Sequence, residues 1–163
     1  MTSVENNWFL KNTTDPLEKT PYILCIISTI LLFIYKKPTL LIGYILGVVL
    51  NVIVNYIIKY IIKEPRPSTD TEAFHAAIRL NRPIHYSQLG MPSGHVQLAT
   101  YSTLFIHFAL HNPYITFFYT MCTIITVYQR YNSKAHSANQ VVVGAIVGAL
   151  IAIGIYFLTC QYI

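Results

Sequence analysis

Two histidines, His95 and His136, and three permanent cations, Lys59, Arg66 and Arg130, are the side chains through which this sequence could do chemistry. They fall in three short polar clusters separated by apolar runs. The first reads Lys59-Tyr-Ile-Ile-Lys63-Glu-Pro-Arg66-Pro67. Lys59, Lys63 and Arg66 follow i, i+4, i+7 spacing, which puts three cations on one helical face. Pro65 disfavours helix at Glu64, so the helix is expected to break there and the Pro-Arg-Pro segment to aim Arg66. The bland alternative is a set of cations snorkelling at a helix end.

The second cluster is Pro92-Ser93-Gly94-His95, directly before an apolar run. Ser is a favoured N-cap and Gly leaves the backbone open to close approach, while a helix start offers unpaired N–H groups and a positive dipole end. The combination seats an anion beside a hydroxyl, with an imidazole next in sequence; taken alone it also reads as a plain cap. The third cluster places His136 six residues after Arg130 and Gln140 four after that. His136 and Gln140 are expected to face each other on the first turn of the last helix. The Gln140 side-chain carbonyl would accept from one ring nitrogen and leave the other as a nucleophile. Arg and Lys suit non-bridging phosphate oxygens, two histidines supply a nucleophile and an acid, and nothing has the form of a carboxylate metal cage. These residues describe phosphoryl transfer with neither metal nor other cofactor.

The elements that must position them are membrane helices. The chain has 163 residues, 54% hydrophobic and 10% charged, against about 25% charged in soluble domains. That mix cannot dress a small soluble protein, and it excludes disorder. Five spans are expected: Tyr22 to Tyr35, Thr39 to Ile58, Val96 to Leu110, Pro113 to Tyr128 and Val141 to Ile163. The fold class is an all-α integral membrane bundle, with residues 1–20 a polar N-terminal segment and 21–163 a single membrane-embedded domain. Trp8-Phe9-Leu10 is placed at the membrane interface. An odd number of spans puts the polar loops at 59–92 and 129–140 on the N-terminal side, so the site lies at one membrane face. The net charge of +5 sits at the ends of apolar runs, which favours a membrane surface or a phosphorylated lipid over nucleic acid. Gly43/Gly47 and Gly144/Gly148 are pairs of small residues suited to close helix packing, with a homodimer interface as the alternative. Cys25, Cys122 and Cys160 lie in apolar runs and lack ligand spacing. His107 and His111 read as packing residues; His75 and His85 lie in the long loop with Arg79 and Arg82, near a headgroup rather than in catalysis.

The three clusters in order resemble the motifs of the type-2 phosphatidic acid phosphatase superfamily, membrane lipid phosphate phosphatases that share a site with vanadium haloperoxidases. Lys59 with Arg66-Pro67 matches the first motif, Pro92 to His95 the second, and Arg130 with His136 the third. The resemblance covers residues 59–140. It implies that His136 attacks phosphorus, that His95 protonates the leaving oxygen, and that Lys59, Arg66, Ser93, Gly94 and Arg130 hold the phosphoryl oxygens. The chain departs from the pattern at Gln129, where the motif has Ser, and at Gln140, where it has Asp. Neutral Gln140 can orient the nucleophile but not support its positive charge. Against the six-helix frame that the resemblance implies, the chain is expected to lack the first helix.

The function that follows is hydrolysis of a lipid phosphomonoester or a polyprenyl diphosphate, with the lipid bilayer as the second partner. The alternatives are a family member that binds lipid phosphate or a protein without turnover, and an unrelated small channel or transporter. Lys36-Lys37 in the tight loop opposite the site sets the site on the extracytoplasmic or lumenal face by the positive-inside rule. The larger number of basic residues on the site's own side argues the other way, unless they serve anionic headgroups. Asn12-Thr13-Thr14 is a glycosylation acceptor pattern on that face.

Overall fold

Side-chain size, more than hydropathy, decides which face of each helix turns inward. The structure is a computed structural model and describes residues 16–161. The Trp8-Phe9-Leu10 patch and the Asn12 pattern lie outside the described residues. A 3₁₀ turn at Pro16–Lys19 leads into α1 (Thr20–Ile34), followed by α2 (Pro38–Ile62), α3 (Thr71–Arg79), α4 (Gly94–Leu110), α5 (Pro113–Asn132) and α6 (Ala138–Cys160). The fold is all-α, and no strand occurs among the described residues. All five segments expected to be helical are helices, with ends within a few residues of those read from the sequence. α1 with its leading turn, α2 and α6 are each long and apolar enough to cross a membrane.

α2 shows the packing rule. Gly43, Gly47, Asn51, Asn55 and Lys59 recur every fourth residue and are all buried, while Ile42, Leu46, Val52 and Ile61 on the opposite face are 60–74% exposed. A soluble helix would reverse this. In lipid the apolar side chains lose nothing by facing outward, and small residues gain by letting backbones approach.

α4 is the central helix, packed most extensively on α6 and α5 and also against α1 and α2. It is only 17 residues long, and α5, at 20 residues long enough, is Tyr- and Thr-rich and less apolar than the other three. The reason is visible in its contacts. Ser102 bonds the Tyr44 hydroxyl at 2.8 Å, Thr103 bonds Thr123 at 2.8 Å, and Gln97 accepts from Asn55 at 2.8 Å. A helix enclosed by its neighbours can carry polar groups that find partners inside.

Both glycine pairs seat neighbours of the same chain. A Cβ on Gly144 would stand 2.6 Å from the Ser93 carbonyl oxygen, and one on Gly148 would meet the Gln97 carbonyl. Gly43 and Gly47 lie against Thr159 and Tyr101. The pairs therefore serve packing within the bundle.

The 59–92 stretch, expected to be a long polar loop, differs in two ways. α2 runs on through Lys59 to Ile62, and α3 interrupts the loop, started by Asp70, whose Oδ1 accepts from the Glu72 and Ala73 N–H groups at 3.0 and 3.1 Å. Phe74 anchors α3 by burial.

Gly148→Ala is expected to lower stability in detergent by about 1–3 kcal/mol, because the added carbon meets backbone that cannot turn aside. Gly154 has nothing within 4 Å of its Cβ position, so Gly154→Ala should be neutral or stabilising by about 0.5–1 kcal/mol. Thermal melts of the two variants check the pair.

Candidate active site

The site forms at the bundle end where α2 finishes and α4 and α6 begin. Lys63 ends α2 in the left-handed conformation, φ 50°, with its N–H on the Lys59 carbonyl. That turn takes Lys63 off the helical face shared with Lys59 and leaves it exposed, so the expected row of three cations does not form. Instead, the chain at 64–66 runs antiparallel to 88–90. Gly90 N donates to Glu64 O at 2.7 Å and Arg66 N donates to Gln88 O at 3.0 Å. The pairing sets the first cluster beside the segment that leads into the second.

The Leu89 carbonyl gathers two of the cations. Lys59 Nζ donates to it at 2.6 Å and Arg66 Nε at 3.2 Å. Lys59 is buried and lies 5.3 Å from the centre of the Tyr86 ring, a cation–π contact that offsets part of its lost hydration. Arg66 is pushed down to about 10, first by burial and then by Arg130, so it is charged at neutral pH. Arg130 is buried at the end of α5, and its Nη1 donates to Glu18 at 2.9 Å and to Gln129 Oε1 at 3.4 Å. Gln129 thus orders the arginine with an amide where the motif has a hydroxyl.

His136 is buried and bonded through Nδ1, to Gly90 O at 2.9 Å and to Gln140 Oε1 at 3.3 Å. Both partners are acceptors at that contact, so Nδ1 carries the hydrogen and Nε2 the lone pair. Burial, followed by Arg66, Arg130 and Lys59, holds His136 well below the usual imidazole range. The ring is therefore neutral at neutral pH, as a nucleophile must be. His95, half-buried at the start of α4, stands in the field of the same three cations and meets the Tyr22 ring edge-on at 5.5 Å.

The expected meeting of His136 and Gln140 occurs by a different route. His136 precedes the helix; Ser137 is the N-cap and Gln140 the third residue of a capping box, with Gln140 N to Ser137 Oγ at 3.3 Å and Ser137 N to Gln140 Oε1 at 3.2 Å. Gly90 is required here, since a Cβ would run into the Gln140 amide.

Ser93 is the N-cap of α4 by backbone position, yet its hydroxyl makes no cap bond. Among the described residues three buried side-chain polar atoms have no partner, Thr100 Oγ1 within α4 and, at this end of the bundle, Ser93 Oγ and Arg130 Nε. An unpaired buried donor costs about 1–3 kcal/mol, so two in one cationic site mark a place for acceptor oxygens. A cleft of about 720 Å³, lined by Pro67, Tyr131, Lys134, His136 and Asn139 among others, has His136 in its wall.

The cluster therefore brings together Lys59, Arg66, Arg130, His136 and Gln140, with His95 in the field of its cations, Ser93 N on the Gln140 carbonyl and Gly94 against Asn55, and it leaves out Lys63 and the other histidines. His107 bonds Thr116 at 3.0 Å at the far end of the bundle, while His75 and His85 are exposed on and after α3. Sequence reasoning missed Glu18, Asn51, Asn55 and Tyr86. Asn55 bonds Gln97 and receives the Tyr86 hydroxyl at 2.9 Å, joining α2, α4 and the loop. The signal for the asparagines was present: Asn51 and Asn55 repeat at four-residue intervals ending on Lys59.

If the unpaired donors await an anion, Ser93→Ala removes an unsatisfied hydroxyl. Its melting temperature in detergent should hold or rise, while inorganic phosphate binds about tenfold more weakly by titration. The matching family model, the PAP2 superfamily, covers residues 40–161, which takes in the whole site apart from Glu18 and Tyr22. No curated protein and no solved structure matches the chain significantly. Members of the PAP2 superfamily are generally phosphatases, and with three quarters of its length matched the chain belongs to that superfamily.

Proposed function

We propose that the protein is a metal-independent lipid phosphatase working through a phosphohistidine, on a phosphatidate-like monoester or a polyprenyl diphosphate. The observation that carries this reading is the pair of unpartnered buried donors, Ser93 Oγ and Arg130 Nε, in the same site as a histidine whose Nδ1 is tied down. His136 Nε2 attacks phosphorus, forming an N–P bond as the P–O bond to the lipid breaks. His95, protonated once the negative charge of the bound substrate offsets the field of the three cations, gives a proton to the departing oxygen. Water then attacks phosphorus with His95 taking its proton, the N–P bond breaks, and phosphate leaves. Lys59, Arg66, Arg130, Ser93 and the Gly94 N–H meet the phosphoryl oxygens as charge shifts among them. The cations supply the charge neutralisation that a metal ion supplies in other phosphoryl-transfer sites.

The place of the site supports a lipid substrate. The site sits at the end of a bundle whose outer surface is apolar, so an amphiphile can present its headgroup with its tails still in the bilayer. α4 and α5 span alongside α1, α2 and α6 because their polar groups pair within the bundle. The site faces the extracytoplasmic or lumenal side, with Lys36 and Lys37 at the opposite end, where Lys37 Nζ donates to the Ala109 carbonyl at 2.6 Å.

Glu18 favours a second reading, a member that binds lipid phosphate without turnover, because its carboxylate already occupies Arg130. One assay separates the two. Purified protein in detergent with a chelator should release phosphate from at least one of a panel of lipid phosphates and polyprenyl diphosphates, and His136→Ala should abolish it. Binding without release in well-folded wild-type protein would select the second reading.

A further inference from the structure

In place of the Asp that would hold the nucleophile, this chain has Gln140, whose amide is held in turn. Its Nε2 donates to Glu64 Oε1 at 2.6 Å and to Pro65 O at 2.9 Å. Both are acceptors, so the amide nitrogen must face them and the amide oxygen must face His136 Nδ1. The two ends of one conjugated amide thus connect a carboxylate to the imidazole. Glu64 also braces the other acceptor of that ring nitrogen: Gly90, whose carbonyl takes His136 Nδ1 at 2.9 Å, donates its own N–H to Glu64 O at 2.7 Å.

We propose that Glu64 is the missing carboxylate of the site, a positioning residue that acts on His136 through the side-chain amide of Gln140. The inference rests on the phosphohistidine reading for its consequence, because the attack of His136 leaves positive charge on the imidazole. Lys59 from α2, Arg66 from the 64–66 segment and Arg130 from α5 all oppose that charge. Glu64 favours it, polarising the amide so that more negative charge lies on Gln140 Oε1. Its place is fixed by the left-handed end of α2 at Lys63 and by Pro65, which turn the residue between them toward the start of α6. Glu64 is half-buried and Gln140 buried, so the link is only partly screened by solvent.

Glu64→Gln keeps the size and an oxygen for Gln140 and removes the charge. In the intact protein in detergent, on whichever lipid phosphate the wild type hydrolyses, kcat should fall by about 10- to 100-fold. That is less than the ~10⁴ lost when a directly bonded carboxylate is neutralised in a serine protease. KM should stay within about twofold, as for an interaction strengthened only in the transition state. The acid limb of kcat should move to lower pH, since the imidazolium loses support. Glu64→Gln combined with Gln140→Glu moves the carboxylate to the near end of the same pair, against His136. The double variant should regain wild-type kcat and shift the acid limb to higher pH. A Glu64→Gln enzyme with unchanged kcat and acid limb overturns the proposal, as does a folded double variant no faster than Glu64→Gln alone. If the wild type releases no phosphate from any substrate, the phosphatase reading fails separately, and ¹⁵N NMR of the His136 ring still decides the link. Glu64→Gln lowers the pH at which the ring takes its second proton if Glu64 acts through Gln140, and leaves that pH fixed if it does not.

Discussion

Three cations brought together in a largely buried site repel one another, and the arrangement at this end of the bundle is the answer to that repulsion. Lys59 and Arg66 share the Leu89 carbonyl, Lys59 also meets the Tyr86 ring, and Arg130 takes Glu18. Each partner satisfies part of a cation. Arg130 Nε stays bare, and so does the Ser93 hydroxyl of the second cluster. A site held this way is short of negative charge, and in the proposed function a phosphate brings the acceptors that complete it. The same field keeps His136 neutral, the state in which the proposed nucleophile must stand.

Holding the cations in place depends on a polar seam inside an apolar bundle. Asn51, Asn55 and Lys59 run down one face of α2, and Gln97 of α4 bonds to both asparagines, with Nε2 on Asn51 and Oε1 on Asn55. Polar groups in lipid are expensive unless paired, so the seam fixes the register of α2 against α4. Gly144 and Gly148 bring α6 against the start of α4 from the other side, where Ser93 N donates to the Gln140 carbonyl at 2.9 Å. Ser93 and His95 come from the second cluster and His136 from the third, and these contacts join the segments that carry them.

Much of this was legible in the sequence because it is carried by local patterns. Apolar runs gave the five long helices, and the spacing of Lys59, Arg66, Ser93, His95, Arg130 and His136 gave the cluster now seen at one bundle end. The rest depends on main chain and on distant pairings. The Leu89 and Gly90 carbonyls hold Lys59, Arg66 and His136, yet a backbone oxygen leaves no mark in residue type. Glu18 lies 112 residues from Arg130 and Glu64 76 from Gln140, separations that no periodicity reports. Lys63 was misread because helical spacing was applied to a residue whose own left-handed turn ends α2. The Ser137-to-Gln140 capping box does have a local signature, a Ser followed three residues later by a Gln ahead of an apolar run.

The most direct test of the account is whether phosphorus becomes bonded to His136. The protein is mixed with a ³²P-labelled lipid phosphate, quenched within the first turnover, digested and mapped. The account predicts label on the peptide containing His136, stable to base, lost in acid, and absent from His136→Ala. Turnover of substrate with no label on that histidine would contradict it.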